Sequence, residues 1–115
     1  MQFTVFKDFF NPKFELFLRD LKINEDFLEM LIYTPLAGGK RLRPFIIFSI
    51  GKELGIEQEI LERIGFAVEI FHSGSLIHDD LPSIDDDMLR RGKKTHHVRF
   101  GEDNAILTGD YSMLL

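Results

Sequence analysis

Apolar residues in this chain recur at steps of three and four, segment after segment, and nowhere alternate for long enough to suggest a strand. That spacing puts them on one side of a helix, so the expected fold is all-α. In the first segment Phe6, Phe9, Phe10, Phe14, Phe17, Leu18 and Leu21 follow it, interrupted by Asn11-Pro12. Proline has no amide hydrogen and suits a first helical turn, which predicts a short aromatic lead-in and then a helix from about Pro12 to Leu21. A second helix starts at Asn24 or Asp26, buries Phe27, Leu28, Leu31 and Ile32, and is limited by Pro35. Gly38-Gly39 breaks the chain. Pro44 disfavours a helical Arg43, so the third helix is placed at about Pro44 to Leu54. It is apolar nearly all round and expected to be central. Gly55 ends it.

The fourth helix is the longest, from about Glu57 to Asp80. Ile60, Leu61, Ile64, Ala67, Val68, Phe71, Ser75 and Leu76 are expected on its packed side, with Glu62, Arg63 and Glu69 in more polar surroundings. Pro82 stops it, and a polar loop spans roughly Pro82 to Gly101. Asp103 is expected to cap a fifth helix carrying Ala105, Ile106, Leu107 and the terminal residues. The chain stops at Tyr111-Ser112-Met113-Leu114-Leu115 inside an apolar pattern, without a helix stop signal. It therefore reads as the N-terminal portion of a longer domain.

With 115 residues, 44% of them hydrophobic, a packed core is possible and global disorder is not expected. Twelve phenylalanines and no tryptophan make the chain aromatic and apolar. A net charge of -5 argues against nonspecific nucleic-acid binding. The absence of cysteine excludes disulfides and thiolate metal sites. No signal peptide is legible, and Lys52 and Glu53 close the longest apolar run before it reaches membrane-spanning length. A cytoplasmic protein without stable membrane insertion is the expectation.

Five aspartates fall in nine residues: Asp79, Asp80, Asp85, Asp86 and Asp87. Crowded carboxylates repel and need a cation to share the site. Asp79 and Asp85 suit magnesium if they share one cleft, either because the helix continues briefly through Pro82 or because the loop folds back. That ion accepts few carboxylates and completes its octahedron with water and substrate phosphate. The spacing does not fit a calcium loop, and His78 lacks a histidine partner for zinc on its helix. His96-His97 is a zinc candidate on composition alone. Two basic groups flank the run: Lys40, Arg41 and Arg43 after Gly38-Gly39, and Arg90, Arg91 and Lys93 beyond the aspartates. This is no nucleotide P-loop, because the spaced glycines and the Lys-Ser/Thr ending are missing. His72 lies two turns before Asp79 on one helix face, about 10 Å along the axis. Taken singly, each element has a plain alternative: a solvated acidic surface, a helix connection, a core histidine. Together they suggest two phosphorylated ligands, one held through metal and one by Lys and Arg directly.

The stretches Gly38-Gly39-Lys40-Arg41-Leu42-Arg43-Pro44 and His72 through Lys93, with Phe100-Gly101-Glu102-Asp103 and Leu107-Thr108-Gly109-Asp110, resemble the trans-isoprenyl diphosphate synthases (polyprenyl synthetases), most of all the bacterial farnesyl diphosphate synthase branch. The likeness runs from about Tyr33 to the end of the chain. It implies an all-α bundle around a central cavity, a homodimer, and a magnesium-dependent condensation of isopentenyl diphosphate with an allylic diphosphate. Under it Asp79 and Asp85 ligate magnesium, and Asp79, Asp80, Asp85 and Arg90 are catalytic. Lys40, Arg43, His72 and Arg91 hold isopentenyl diphosphate, and Arg90 faces the allylic diphosphate. Asp86 and Asp87 add outer charge.

The chain departs from the family pattern in three ways. The second aspartate-rich motif does not occur in it, so the 115 residues alone are expected to be inactive. Lys94 stands where proline is common. Gly74, five residues before Asp79, replaces a bulky residue expected to line the product tunnel, with Phe71 as a lower floor. Gly74 thus raises a longer-chain synthase as an alternative. A noncatalytic helical or assembly subunit is a second.

Overall fold

The computed structural model describes residues 2–115. Among them are six helices: α1 (Phe3–Arg19), α2 (Glu25–Tyr33), α3 (Leu42–Glu53), α4 (Gln58–Asp79), α5 (His96–Phe100) and α6 (Glu102–Leu114). A short 3-10 turn (Pro35–Ala37) and a hairpin of β1 (Leu89–Arg90) and β2 (Lys93–Lys94) complete the elements. The all-α expectation holds. No helix of the described residues is long and apolar enough to cross a membrane. The chain divides into two units: one runs up to Asp20 and resumes over Lys40–Glu69, the other comprises Leu21–Gly39 and Ile70–Leu115.

In the first unit α1 runs unbroken through Pro12, not from it. An interior proline costs about 3 kcal/mol. Continuing the helix keeps Phe6, Phe10, Phe14 and Leu18 on one buried row. Burying one such side chain contributes roughly 1.5–3 kcal/mol, so the row outweighs the proline. The rings interlock: Phe10 lies 5.3 Å from Phe6, 5.3 Å from Phe14 and 5.5 Å from Phe66. Phe6 meets Phe48 edge-on at 5.2 Å.

Helix α3 starts earlier than expected, with Arg43 helical. Pro44 is still within the first turn, where a missing amide hydrogen removes no intrahelical bond. Within its unit α3 is not central: it buries Pro44, Phe48 and Gly51, while Leu42, Ile46 and Ile50 are exposed. Gly51 has no room for a side chain, since a Cβ would run into Leu61. Gly55 stops the helix in the left-handed region at φ 74°, its amide on the Lys52 carbonyl and that of Ile56 on Gly51. That is the Schellman pattern.

The α4 face buried here is Leu61, Gly65, Phe66 and Glu69; the expected Ile60 and Ile64 are exposed. Glu69 is buried because Arg41 is buried with it, Nη1 to Oε2 at 2.8 Å. Arg41 Nε also donates to Asn11 Oδ1, and the guanidinium lies 5.2 Å from the Phe14 ring centre.

In the second unit Asn24 caps α2 as expected, its Oδ1 accepting from the Asp26 and Phe27 amides. Leu31, Ile70, Ile77, Leu81 and Ala105 are buried, whereas Phe27 and Leu28 are only half-buried. The stretch expected as a plain loop holds both the hairpin and α5. Arg91-Gly92 forms its two-residue turn with φ of 53° and 77°, the geometry of a type I′ hairpin. Strands of two residues are too short for alternation to be legible. Asp103 is not the cap of α6: it sits in the first turn and accepts from the Asn104 amide, with Gly101 at the cap. The buried residues of α6 are small, Ala105, Thr108, Gly109 and Ser112, and this lets α4 come close.

Candidate functional site

The C-terminal carbonyls of a helix need donors. At the end of α4 the aspartate loop supplies them. The Asp80 amide donates to Leu76, that of Leu81 to His78, that of Asp85 to Asp79 at 2.9 Å, and that of Asp87 to Asp80 at 3.2 Å. The Asp86 amide turns to the Leu81 carbonyl, with Asp86 left-handed at φ 51°, a region aspartate tolerates. The acidic run is therefore the folded cap of α4. Its backbone brings Asp79 and Asp85 together, and both side chains remain exposed.

Carboxylates at the negative end of a helix dipole repel one another and that dipole, which a cation relieves. Among the described residues no group of three His, Asp or Glu side chains is disposed to hold a metal. Two exposed carboxylates with hydrogen-bonded backbones fit an ion that takes most ligands from water and a diphosphate, as magnesium does, and do not fit structural zinc.

Asp80 differs from its neighbours. It is 2% exposed, and Arg90 grips it with two bonds, Nε to Oδ2 at 2.8 Å and Nη2 to Oδ1 at 2.6 Å. The hydrogen bond to Asp80 raises the Arg90 pKa further; burial opposes it, and the charges of Asp80, Asp87 and Asp79 add to it. Each Asp80 oxygen accepts one Arg90 bond, so Asp80 orients the guanidinium. Two of the five guanidinium N–H donors are committed there, and the rest remain for an anion.

Arg91 points elsewhere. Its Nη1 donates to the Gly38 carbonyl, and a Cβ on Gly39 would sit 3.2 Å from Nη2. Gly38 and Gly39 have φ of 111° and 135°, so the pair admits a guanidinium of the same chain. Thr34, Asp80, Arg90, Arg91, Lys93 and His96 line one small cleft. Half-buried His72 accepts the Ser75 hydroxyl on its carbonyl. Lys40 and Arg43 belong to the first unit and are exposed, while Arg41 between them is buried on Glu69. Arg41 is thus removed from the expected phosphate-gripping set.

The other histidines are structural. His78 packs on Gly109, its Nε2 3.0 Å from the Ile106 carbonyl. His96 Nε2 donates to the Met30 carbonyl at 2.9 Å and His97 Nε2 to that of Asp87 at 2.9 Å, so the two do not form a zinc pair. Burial pulls the His96 pKa down, partly opposed by the Met30 bond.

Gly74 does not face open space. A Cβ there would stand 2.8 Å from the Gly109 carbonyl oxygen and 2.9 Å from Ser112 Cβ. The space beside the glycine is occupied by α6. Phe71 is 53% exposed. Sequence reasoning missed Tyr33, whose hydroxyl donates to the Lys94 carbonyl at 2.7 Å, and Thr95, whose hydroxyl donates to that of Asp87 at 2.8 Å. Each acts on a backbone carbonyl, 61 and 8 residues away, and no residue spacing signals such a bond.

Residues 24–115 match the family model described as polyprenyl synthetase. The chain belongs to the polyprenyl synthetase family. It is 53% identical over 87 residues to the farnesyl diphosphate synthase of Escherichia coli K12, covering 76% of this chain and 29% of that protein. Over 87 residues it is 47% identical to a chloroplastic geranylgeranyl pyrophosphate synthase of Arabidopsis thaliana, 76% of this chain and 24% of that one. A crystal structure of geranyltranstransferase from Thermotoga maritima superposes with a TM-score of 0.85 at 39% identity, over 97% of this chain and 42% of that one. The chain thus spans under a third of the length of these two curated relatives.

Proposed function

We propose that the aspartate loop is one jaw of a magnesium-dependent trans-prenyltransferase site that joins isopentenyl diphosphate to dimethylallyl or geranyl diphosphate, giving farnesyl diphosphate. The observation that carries this reading is the folded-back loop, with exposed Asp79 and Asp85 joined through their backbones at the end of α4. Asp79 and Asp85 would hold the metal. When bound, magnesium supplies Lewis-acid neutralisation of the departing diphosphate. Arg90, oriented by Asp80, adds charge to the allylic diphosphate with its uncommitted donors. Lys40, Arg43, His72 and Arg91 are the candidates for binding isopentenyl diphosphate. The proton lost at the end passes to the released diphosphate. The reaction requires an apolar cavity, because water would intercept a cationic intermediate.

The expected partner is a second copy of the chain in a homodimer. The farnesyl product is favoured by the likeness to the Escherichia coli farnesyl diphosphate synthase. A longer product is the alternative, supported by the likeness to a geranylgeranyl pyrophosphate synthase and by Gly74 five residues before Asp79.

The test is an assay with magnesium, isopentenyl diphosphate and geranyl diphosphate, on a polypeptide that carries this chain together with a second aspartate-rich helix. Farnesyl diphosphate is the expected product, and Asp79→Asn or Asp85→Asn lowers kcat by roughly a hundredfold or more. A C20 or longer product selects the longer-chain reading. Absence of any prenyl product sinks both and leaves a noncatalytic helical subunit.

A further inference from the structure

We infer that Thr95 is a positioning residue of the aspartate loop, holding the Asp87 carbonyl at the expense of capping its own helix. The consequence for metal affinity rests on the function proposed above; the hold itself does not. Thr95 occupies the cap position of α5 with φ -66° and ψ 161°. A threonine there ordinarily accepts a bond from the second or third amide of the helix. Thr95 makes no such bond. Its hydroxyl is turned the other way and donates to the Asp87 carbonyl at 2.8 Å, while its amide donates to the Met88 carbonyl at 3.0 Å. The residue is 2% exposed, so neither group has water as a substitute. His97 Nε2 donates to the same Asp87 oxygen at 2.9 Å.

The Asp87 residue is thereby gripped at both ends. Its amide is bound to the Asp80 carbonyl at the end of α4, and its carbonyl is bound by the start of α5. Asp85 and Asp86 lie between α4 and that grip. Four aspartates in this stretch, Asp79, Asp85, Asp86 and Asp87, are exposed and repel one another. Bonds to their backbone resist the spreading and leave the carboxylate oxygens for a ligand. Hydrogen bonds that fix the surroundings of metal ligands strengthen many metal sites.

Hydrogen exchange on the full chain tests the hold directly. Thr95→Val keeps the shape and removes the donor. Amides of Asp85 and Asp87 are expected to exchange about tenfold or more faster, with that of buried Ile77 unchanged. Thr95→Ser restores wild-type rates. Unchanged exchange in Thr95→Val, or Thr95→Ser as fast as Thr95→Val, overturns the inference. Where Thr95→Val does not fold, Thr95→Ala is read in the same way. A parallel titration with Mn2+, followed by the resonance of the free ion, is expected to show affinity roughly ten- to a hundredfold weaker in Thr95→Val and recovered in Thr95→Ser. Wild-type protein that takes up no Mn2+, or Asp79→Asn that takes it up equally well, overturns the functional proposal, while the exchange rates still decide the role of Thr95.

Discussion

The two units of this chain are held together by different kinds of force. The first is a stack of aromatic rings on α1, α3 and the start of α4, with Phe10 touching four other phenylalanines within 6.4 Å. Ring packing has broad geometric preferences and is strong in sum. The second unit buries Ser73, Asp80, Thr95, His96, Thr108 and Ser112, and its connections run through directional hydrogen bonds. Directional bonds fix where a carboxylate sits; apolar area does not. The aspartate loop and the two arginines beyond it lie in the unit richer in such polar contacts.

Substitutions can break this contrast. The largest effect is expected in the ring stack: Phe10→Ala should lower stability by about 3–5 kcal/mol, read from denaturant unfolding. A loss below about 1 kcal/mol would mean that the stack is not what holds the first unit. Next comes Gly74→Ala, whose added methyl meets the Gly109 carbonyl and Ser112. It should cost about 1–3 kcal/mol, and Ser112→Gly in the same chain should recover part of that. A Gly74→Ala protein as stable as wild type would show that α4 and α6 have room to spare.

The smallest effect is on pH dependence. Buried His96 has a lowered pKa, whereas the unfolded chain takes up its proton near the usual value of about 6.5. The folded state then binds fewer protons in acid. Its stability is complete above about pH 6.5 and declines as pH falls through the lowered folded value. Urea midpoints between pH 5 and 8 should show that slope, and His96→Leu should flatten it. A slope of opposite sign would mean that protonated His96 is accommodated in the fold.

The helices and the acidic jaw were legible because both rest on local signals: steps of three and four, a capping Asn24, a stopping Gly55, a run of aspartates. What was not legible came from contacts between distant residues. Pro12 reads as a start, yet the Phe6–Leu18 row carries the helix through it. Of the stripe expected on α4, Leu61 is buried but Ile60, Ile64 and Phe71 are exposed, and close packing occurs at Gly65 and Gly74, whose lack of side chain lets other helices approach. Arg41 reads as a surface cation until Glu69, 28 residues away, is seen beside it. Asp80 looks like its neighbours in composition and differs only through Arg90.

The hairpin carries a consequence for insertions and deletions. Arg90, the last residue of β1, meets Asp80, and Arg91, the left-handed first residue of the turn, meets the Gly38 carbonyl. Losing or gaining one residue between Asp80 and Arg90 would displace both arginines and leave the buried carboxylate without its partner. Chain length between those two positions should therefore tolerate less change than composition does.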